Sequence, residues 1–175
     1  MSLSAPPPPS APSLPRKSSM PPIVDVDTRL LILGSLPGEA SLAAQRYYGH
    51  PRNHFWLLME HVIEAPLIAL DYAERIARLR SHHVGLWDMI ASATRPGSLD
   101  QHIRAVEPNA LRPLIAQLPH LRAIGLNGAK AAQLAEKQLG TPEALAVHRL
   151  PSSSPAHVVP IAHKIEAWRV LHPYC

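Results

Sequence analysis

The sequence is poor in the residues that build disulfides, metal clusters and membrane spans. Its single cysteine, Cys175, allows no disulfide within one chain and no zinc or iron–sulfur site made of several cysteines. We find no apolar run of about 18 residues and no signal-peptide pattern. We therefore expect a cytoplasmic protein without a membrane segment.

Aromatic residues are also scarce. They make up 5% of the chain, and Phe55 is the only phenylalanine. Hydrophobic residues nevertheless reach 46% of the 175 residues, which is enough for the core of one domain. The formal net charge of +4 favours a polyanionic partner but carries no information about the fold.

The start of the chain differs in composition from the rest. Residues 1–22 are rich in proline, serine and alanine, and they include four consecutive prolines. Such a segment cannot bury enough apolar surface to offset the entropy of ordering. We predict a disordered tail over residues 1–22 and one folded domain over residues 23–175.

The remaining sequence alternates short apolar runs with helical periods, which predicts an α/β fold with a parallel sheet. The predicted helices cover about residues 54–62, 70–80, 108–117, 129–139 and 160–171. The predicted strands are Leu30–Leu33, Val84–Trp87, Leu121–Leu126 and Ala146–Leu150. Polar loops follow the strands at residues 34–53, 88–100, 127–128 and 151–157, and parallel strands would bring all four to one edge of the sheet.

The loop after the first strand begins with Gly34, Ser35, Leu36, Pro37 and Gly38. Glycines permit close approach, and successive N–H groups can bind a carbonyl or an anion. This pentapeptide is therefore either a backbone cradle or a plain turn. No Gly-Lys-Ser/Thr follows it, which excludes a P-loop.

Further candidate binding residues lie just before the next helix. Asn53 is a good N-cap, and an amide that uses its oxygen as a cap still has an NH2 group for a ligand. Phe55 is a plausible stacking surface for a flat ring. Tyr47 and Tyr48 either line the same pocket or pack the loop.

The loop Pro151–His157 is stiff and rich in hydroxyl groups. It either grips a phosphate or forms an exposed turn. A Ser–His–Asp arrangement with His157 and Asp88 or Asp100 is a weaker alternative, because no Gly-x-Ser-x-Gly elbow is present. Either carboxylate could serve as a general base. The histidines form no His-Glu-x-x-His motif, so we expect no metal site.

Taken together, these motifs resemble the uracil-DNA glycosylase superfamily. Pro51-x-Asn53-x-Phe55-Trp56 is similar to an element of its mismatch-specific members, and Leu150–Ser154 is similar to its Pro-Ser loop. The chain is most similar to the hypoxanthine-DNA glycosylase branch through six motifs in the same order: Gly34–Gly38, Ser41-Leu42, Tyr47-Tyr48, Leu86-Trp87-Asp88, Ser98-Leu99-Asp100 and Asn127-Gly128. The chain departs from the mismatch-specific enzymes at Leu36, where they carry an asparagine that assists attack of water, and many relatives have asparagine where His157 stands.

The resemblance implies a three-layer α/β/α sandwich around a mostly parallel four-stranded sheet. It also implies a base-excision glycosylase that acts, without cofactor or metal and as a monomer, on double-stranded DNA containing a deaminated base. Asn53 and Asn127 are the implied catalytic residues. The implied base site is Gly34, Ser35, Leu36, Pro37, Gly38, Tyr48 and Phe55, and the implied DNA contacts are Ser152, Ser153, Ser154, Pro155 and His157.

The substrate implied by the resemblance is hypoxanthine. The alternatives are a uracil or mismatch-specific glycosylase and a damaged-DNA-binding module that has lost catalysis, which Leu36 keeps open. In the hypoxanthine interpretation, Phe55 lies beneath an extruded purine. The loop Pro151–His157, called the serine loop below, then holds the flanking phosphates. If Phe55 were buried deep in the core, or lay far from the serine segment, the repair-enzyme interpretation would fail.

Overall fold

The computed structural model describes residues 14–141 and 144–175. Among them, the strands are β1 (Arg16–Ser18), β2 (Leu30–Gly34), β3 (Val84–Asp88), β4 (Ile90–Thr94), β5 (Arg104–Pro108), β6 (Ala123–Asn127) and β7 (Ala146–Leu150). The central sheet has the order β3-β2-β6-β7, and every neighbouring pair is parallel. The predicted strands are therefore confirmed to within about two residues.

Helices cover both faces of this sheet. They are α1 (Glu39–Ala44), α2 (Phe55–Ile63), α3 (Tyr72–Ser81), α4 (Leu111–Ile115), α5 (Ala129–Leu139) and α6 (Ile161–Trp168), with short 3-10 helices at Asp100–His102 and Arg169–Tyr174. Leu30 and Ile32 share a core with α2, α3 and α6, whereas Leu31 and Leu33 share one with α4 and α5. Because both faces are covered, every residue of β2 is buried. The predicted three-layer α/β/α sandwich is confirmed.

A second sheet was not predicted. It is antiparallel, has the order β1-β4-β5, and places β4 inside the segment 88–100 that the sequence predicts to be a loop. Its edge strand β1 lies within the predicted tail of residues 1–22, and Met20 is buried in the main core. The tail prediction is therefore wrong for residues 14–22, because pairing with β4 orders a segment whose composition favours disorder. Residues 1–13 lie outside the described part of the chain.

Several helix boundaries also differ from prediction. The long first loop contains α1, and the helix predicted over 108–117 is shortened to Leu111–Ile115 because Pro108 belongs to β5. The last helix ends at Trp168 and continues as a 3-10 helix that contains Pro173, which cannot supply an α-helical hydrogen bond.

The strand register brings the predicted loops together. Gly34 at the end of β2 stands opposite Asp88 at the end of β3, and Asn127 at the end of β6 stands opposite Leu150 at the end of β7. The loops that follow these residues consequently leave the sheet at one edge. Within residues 14–141 and 144–175, no helix has the length and apolar character that crossing a membrane requires.

Candidate active site

A cavity of about 1000 Å³ opens at this edge of the sheet. All four strand-ending loops contribute to its wall, as the alternation of strands and polar loops predicts. The predicted site residues that line it are Gly34, Ser35, Leu36, Pro37, Gly38, Tyr48, Asn53, Asn127, Ser152, Ser153, Ser154, Pro155 and His157. Phe55 is the predicted site residue that is absent from this wall.

The first loop, Gly34–Gly38, is held by a buried arginine that the sequence did not single out. The Arg95 guanidinium donates to the backbone carbonyls of Leu36, at 3.1 Å, and of Pro37. It also lies 3.7 Å from the carboxylate of Asp100, which accepts a hydrogen bond from the Ser35 hydroxyl at 2.7 Å. Because these carbonyls and the Ser35 side chain are all bound, the loop is fixed from behind before any ligand arrives.

The aromatic wall of the cavity is Tyr48 and not Phe55. Phe55 is 0% exposed, and the edges of Trp56 and Trp168 pack around it. The Tyr48 ring stacks on Phe55 with centroids 3.7 Å apart and planes 10° apart, so Tyr48 separates Phe55 from the cavity. The prediction that a ligand lies directly on Phe55 is therefore wrong.

Position in the helix explains why Phe55 is buried. It is the first residue of α2, and its side chain belongs to the face of that helix that packs on the sheet. Tyr48 reaches the cavity from a left-handed backbone conformation, with φ of 53°, which a bulky residue rarely adopts. Burial of Phe55 is the outcome that was expected to rule out a repair enzyme. That criterion is wrong, because Tyr48 supplies the aromatic ring that lines the cavity.

The oxygen and the nitrogen of the Asn53 side chain have different surroundings. Its side-chain oxygen accepts a hydrogen bond from the backbone N–H of Phe55 at 2.9 Å, which caps the start of α2. Since the oxygen is held by the helix, the amide nitrogen is the part left for a ligand in the cavity. The helix begins one residue later than predicted, with His54 in the formal N-cap position.

Asn127 is tied to its neighbours through both ends of its amide. Its nitrogen donates to the Ser153 hydroxyl at 2.9 Å and to the Tyr48 hydroxyl at 3.2 Å. Its oxygen accepts from the backbone N–H of Ser153 at 2.9 Å. In this arrangement Asn127 fixes the aromatic wall to the serine loop, and both of its amide hydrogens are already engaged.

Only some of the serine-loop residues that were expected to contact DNA are accessible in the structure. Ser153 is fully buried, and its hydroxyl is held by Asn127, so the prediction that this hydroxyl faces DNA is wrong. Ser152 accepts from the backbone N–H of Ser154, while Pro155 and His157 are exposed. Among the described residues, no serine hydroxyl of this loop is hydrogen-bonded to a histidine ring, which removes the geometric basis for a Ser–His–Asp triad.

A buried lysine supports this loop from below. Lys164 on α6 is 0% exposed, and its ammonium group donates to the backbone carbonyl of Ser154 at 3.2 Å. Burial lowers its pKa. This contact could not be predicted from the sequence, because Lys164 lies ten residues further along the chain and within a helix.

Two carboxylates lie at the opposite side of the cavity. Asp88 is 4% exposed and accepts a hydrogen bond from the Ser19 hydroxyl at 3.1 Å. Burial raises the pKa of Asp88 to about 7 and also raises the pKa of Asp100. A carboxyl group that titrates near neutrality inside a cleft is a candidate for proton transfer.

The described residues contain no group of three or more His, Cys, Asp or Glu side chains placed to hold a metal ion. The polar side chains that line the cavity include hydroxyls, amides and carboxylates, together with His50, Arg104, Lys130 and His157. These are groups that can bind a hydrogen-bonding ring and move a proton.

Comparisons with known proteins agree with this geometry. A family model described as the Uracil DNA glycosylase superfamily matches residues 21–172. The Hypoxanthine DNA glycosylase of Methanosarcina barkeri is 37% identical over 118 residues, which cover 67% of this chain and 75% of that protein. The Hypoxanthine DNA glycosylase of Methanosarcina acetivorans is 39% identical over 117 residues, which cover 67% of this chain and 74% of that protein.

A solved structure has the same fold. The solution NMR structure of a Methanosarcina acetivorans protein described as a candidate uracil DNA glycosylase superposes with a TM-score of 0.76 at 34% sequence identity. The match covers 89% of this chain and 98% of that one.

Proposed function

The chain belongs to the uracil DNA glycosylase superfamily and is a DNA N-glycosylase, and we propose that its substrate is hypoxanthine in double-stranded DNA. The enzyme hydrolyses the N-glycosidic bond of deoxyinosine and leaves an abasic site. The two curated relatives that carry the name Hypoxanthine DNA glycosylase support this choice of base. The observation that carries the proposal is that Tyr48 and Asn53 both line the cavity.

A glycosylase reaches its bond only after the nucleotide leaves the stack. Extrusion costs a few kcal/mol, and it costs least for a base that pairs poorly, such as a deaminated one. The Tyr48 ring, supported from behind by Phe55, offers a flat surface that offsets part of the lost stacking. A cavity of about 1000 Å³ leaves room for a purine nucleotide on that surface.

Asn53 supplies the chemical discrimination. Hypoxanthine carries a carbonyl oxygen at the position where adenine carries an amino group. With its oxygen bound to the N–H of Phe55, Asn53 can only present its NH2 group to the base. That donor pairs with the hypoxanthine carbonyl, whereas adenine would bring a second donor against it and leave both unpaired.

The same donor assists the chemistry. Cleavage places positive charge on the sugar and negative charge on the departing base. A fixed donor aimed at that base is worth about 3–4 kcal/mol in enzymes where one has been removed. The backbone of Gly34–Gly38, which Arg95 holds in place, lies in the same wall and can contribute further donors.

The serine loop holds the DNA. Ser154, Pro155 and His157 lie on the cavity rim, and Lys164 fixes the carbonyl of Ser154 beneath them. Contacts of this kind to phosphates give an affinity that falls as the salt concentration rises.

The test is a comparison of lesions. The protein is incubated with duplexes that carry a single hypoxanthine, uracil, xanthine or mismatched thymine, and alkali then cleaves the abasic sites. We expect cleavage to be fastest at hypoxanthine, and a duplex with adenine at the same position is the matched control. Faster release of uracil would contradict the choice of base. Binding without release of any base would favour the DNA-binding module that Leu36 suggests.

A further inference from the structure

The proposed reaction needs a group to activate water, and the first loop does not supply one. Leu36 in this loop has an apolar side chain that is 5% exposed, and the Ser35 hydroxyl is bound to Asp100. The polar groups that line the cavity near this loop include one buried carboxylate with spare hydrogen-bonding capacity, Asp88. It belongs to the neighbouring strand and not to the loop.

We propose that Asp88 orients and deprotonates the attacking water, and that Ser19 is the positioning residue that holds its carboxylate. This inference rests on the proposed glycosylase function. It assigns a role to the N-terminal strand β1, because Ser19 directly follows that strand and precedes residues 21–172, which the family model matches.

Strand register places the carboxylate. Asp88 is the last residue of β3 and stands opposite Gly34, the last residue of β2. A Cβ at Gly34 would lie within 3.0 Å of Asp88 Oδ1 and 3.3 Å from the Tyr48 hydroxyl. A side chain at this position would push the Asp88 carboxylate away, and its absence leaves the carboxylate and the Tyr48 hydroxyl on the same side of Gly34, at the cavity.

The two carboxylate oxygens of Asp88 have different surroundings. Oδ2 accepts the hydrogen bond from the Ser19 hydroxyl at 3.1 Å, while Oδ1 is the oxygen next to Gly34. The backbone N–H of Ser19 donates to the carbonyl of Ala91 on β4 at 2.8 Å, which fixes Ser19 in turn. One oxygen is therefore anchored, and the other is left to accept a proton.

The step balances within the active site. The water oxygen forms a bond to C1′ of the sugar, and the bond from C1′ to the base nitrogen breaks with its electron pair moving to the base. The proton released by the water passes to Oδ1 of Asp88. The carboxylic acid then returns that proton to the departing base, directly or through solvent, and the carboxylate is restored.

The surroundings of Asp88 suit a base that works near neutrality. Its pKa is raised to about 7: burial is the main cause, the Ser19 hydroxyl and the Arg95 guanidinium oppose the rise, and the Asp100 carboxylate adds to it. The Tyr47 and Tyr48 phenols also face it. A general base is most effective when its pKa lies near the working pH.

The experiment measures single-turnover excision of the released base as a function of pH. In the wild type we expect the rate to rise through about pH 7 and then level off, because the carboxylate is the active form. Asp88→Asn, which keeps the shape and one oxygen acceptor, should lower the plateau by at least about a hundredfold and abolish this rise. Asp27→Asn, an exposed change in the loop before β2, is the matched control.

The role of Ser19 is tested by the pH at which the excision rate reaches half of its plateau, called the midpoint here. Ser19→Ala removes a hydrogen bond to the charged form of Asp88, so the midpoint should move to higher pH. Ser19→Thr retains the hydroxyl and should restore the wild-type midpoint. A role confined to folding would lower the rate at every pH without moving the midpoint.

The outcomes separate this inference from the proposed function. Binding of Asp88→Asn to a duplex with a cleavage-resistant 2′-fluoro deoxyinosine, together with its thermal melting, shows whether it is folded. A folded Asp88→Asn with the wild-type rate and pH profile overturns the role of Asp88 while the glycosylase remains. If Asp88→Asn does not fold, an unmoved midpoint in Ser19→Ala overturns it. A wild type that releases no base from any duplex overturns both proposals.

Discussion

Asn127 and Ser153 bind each other through two hydrogen bonds: the Asn127 amide nitrogen donates to the Ser153 hydroxyl and its oxygen accepts from the Ser153 backbone N–H. Asn127 ends the strand β6, and Ser153 lies in the loop after β7. The pair therefore couples two neighbouring strand ends at the bottom of the cavity, and a third bond from the same amide reaches the Tyr48 hydroxyl.

Removal of this amide should cost both stability and activity. Asn127→Ala leaves the backbone N–H and the hydroxyl of the buried Ser153 without their partner, which costs about 1–3 kcal/mol for an unsatisfied buried group. We expect a lower urea midpoint and slower excision of hypoxanthine. Gln117→Ala is the control: Gln117 is exposed, follows α4 and does not line the cavity, so this variant should stay within about 0.5 kcal/mol of the wild type. An unchanged urea midpoint for Asn127→Ala would show that the pair does not hold the loop.

The two roles of Asn53 can be separated by two substitutions. Asn53→Ala removes both the cap and the donor, and we expect excision of hypoxanthine to fall by about a hundredfold or more. Asn53→Asp keeps an oxygen that accepts from Phe55 N–H but has no NH2 group. The excision rate of Asn53→Asp should fall while its free energy of unfolding stays near that of the wild type. Loss of the cap in Asn53→Ala should lower the free energy of unfolding by about 1 kcal/mol. Single-turnover cleavage and thermal melting measure the two effects, and near-wild-type cleavage by either variant would remove Asn53 from the mechanism.

Tyr48 should bind the extruded base through its ring. Tyr48→Ala removes the stacking surface and should weaken binding to a cleavage-resistant deoxyinosine duplex by about 1–3 kcal/mol, which is the usual worth of stacking a base on an aromatic ring. Tyr48→Phe keeps the ring and loses only the hydroxyl that Asn127 contacts. It should bind more tightly than Tyr48→Ala in a fluorescence anisotropy titration. Equal affinities for the two variants would contradict a role for the ring.

The buried Asp88 carboxyl should make the protein less stable as the pH rises. Its ordinary pKa of 3.8 is raised to about 7 in the fold, so the folded state binds the proton more tightly than the unfolded chain. Stability is therefore lost between about pH 4 and about pH 7, and the loss persists above that range. Asp88→Asn cannot ionise, and it should raise the melting temperature more at about pH 8 than at about pH 4. Calorimetry at both values checks this, and a gain that is larger in acid would contradict it.

Strand positions and the single functional edge could be predicted from the sequence because they depend on local patterns. Runs such as Leu30–Leu33 are apolar at every position, which is typical of strands covered on both faces, and polar loops follow each run. Parallel pairing then requires those loops to meet at one edge. The cavity lined by all four loops confirms that reasoning.

The roles of the aromatic residues could not be predicted in the same way. Phe55, Trp56, Tyr47 and Tyr48 lie close together in the sequence, and each has the size and shape of a stacking surface. Which ring reaches the cavity depends on where α2 begins and on the left-handed turn at Tyr48, and neither is visible in composition or spacing. The sequence therefore predicts Phe55 as the stacking ring, whereas Tyr48 is the ring that lines the cavity.

Contacts between segments that are far apart in the chain could not be predicted from the sequence either. Arg95 binds carbonyl groups of Leu36 and Pro37, almost sixty residues earlier, and Ser19 binds Asp88 across 69 residues. Binding to a backbone carbonyl leaves no pattern in the sequence. The strand that positions Ser19 lies in a proline-rich segment whose composition predicts disorder. Tertiary pairing with β4 overrode that composition.

The short strand β1 also carries Lys17, whose ammonium group contacts Glu39 on α1 and the carbonyl of Gly97 beside the buried Arg95. A shortened version of this protein that starts at residue 21, where the family match begins, would lose that tether together with Ser19. Rates measured on such a fragment would describe a weakened site, so kinetic work on this glycosylase should retain the amino-terminal arm from at least residue 14.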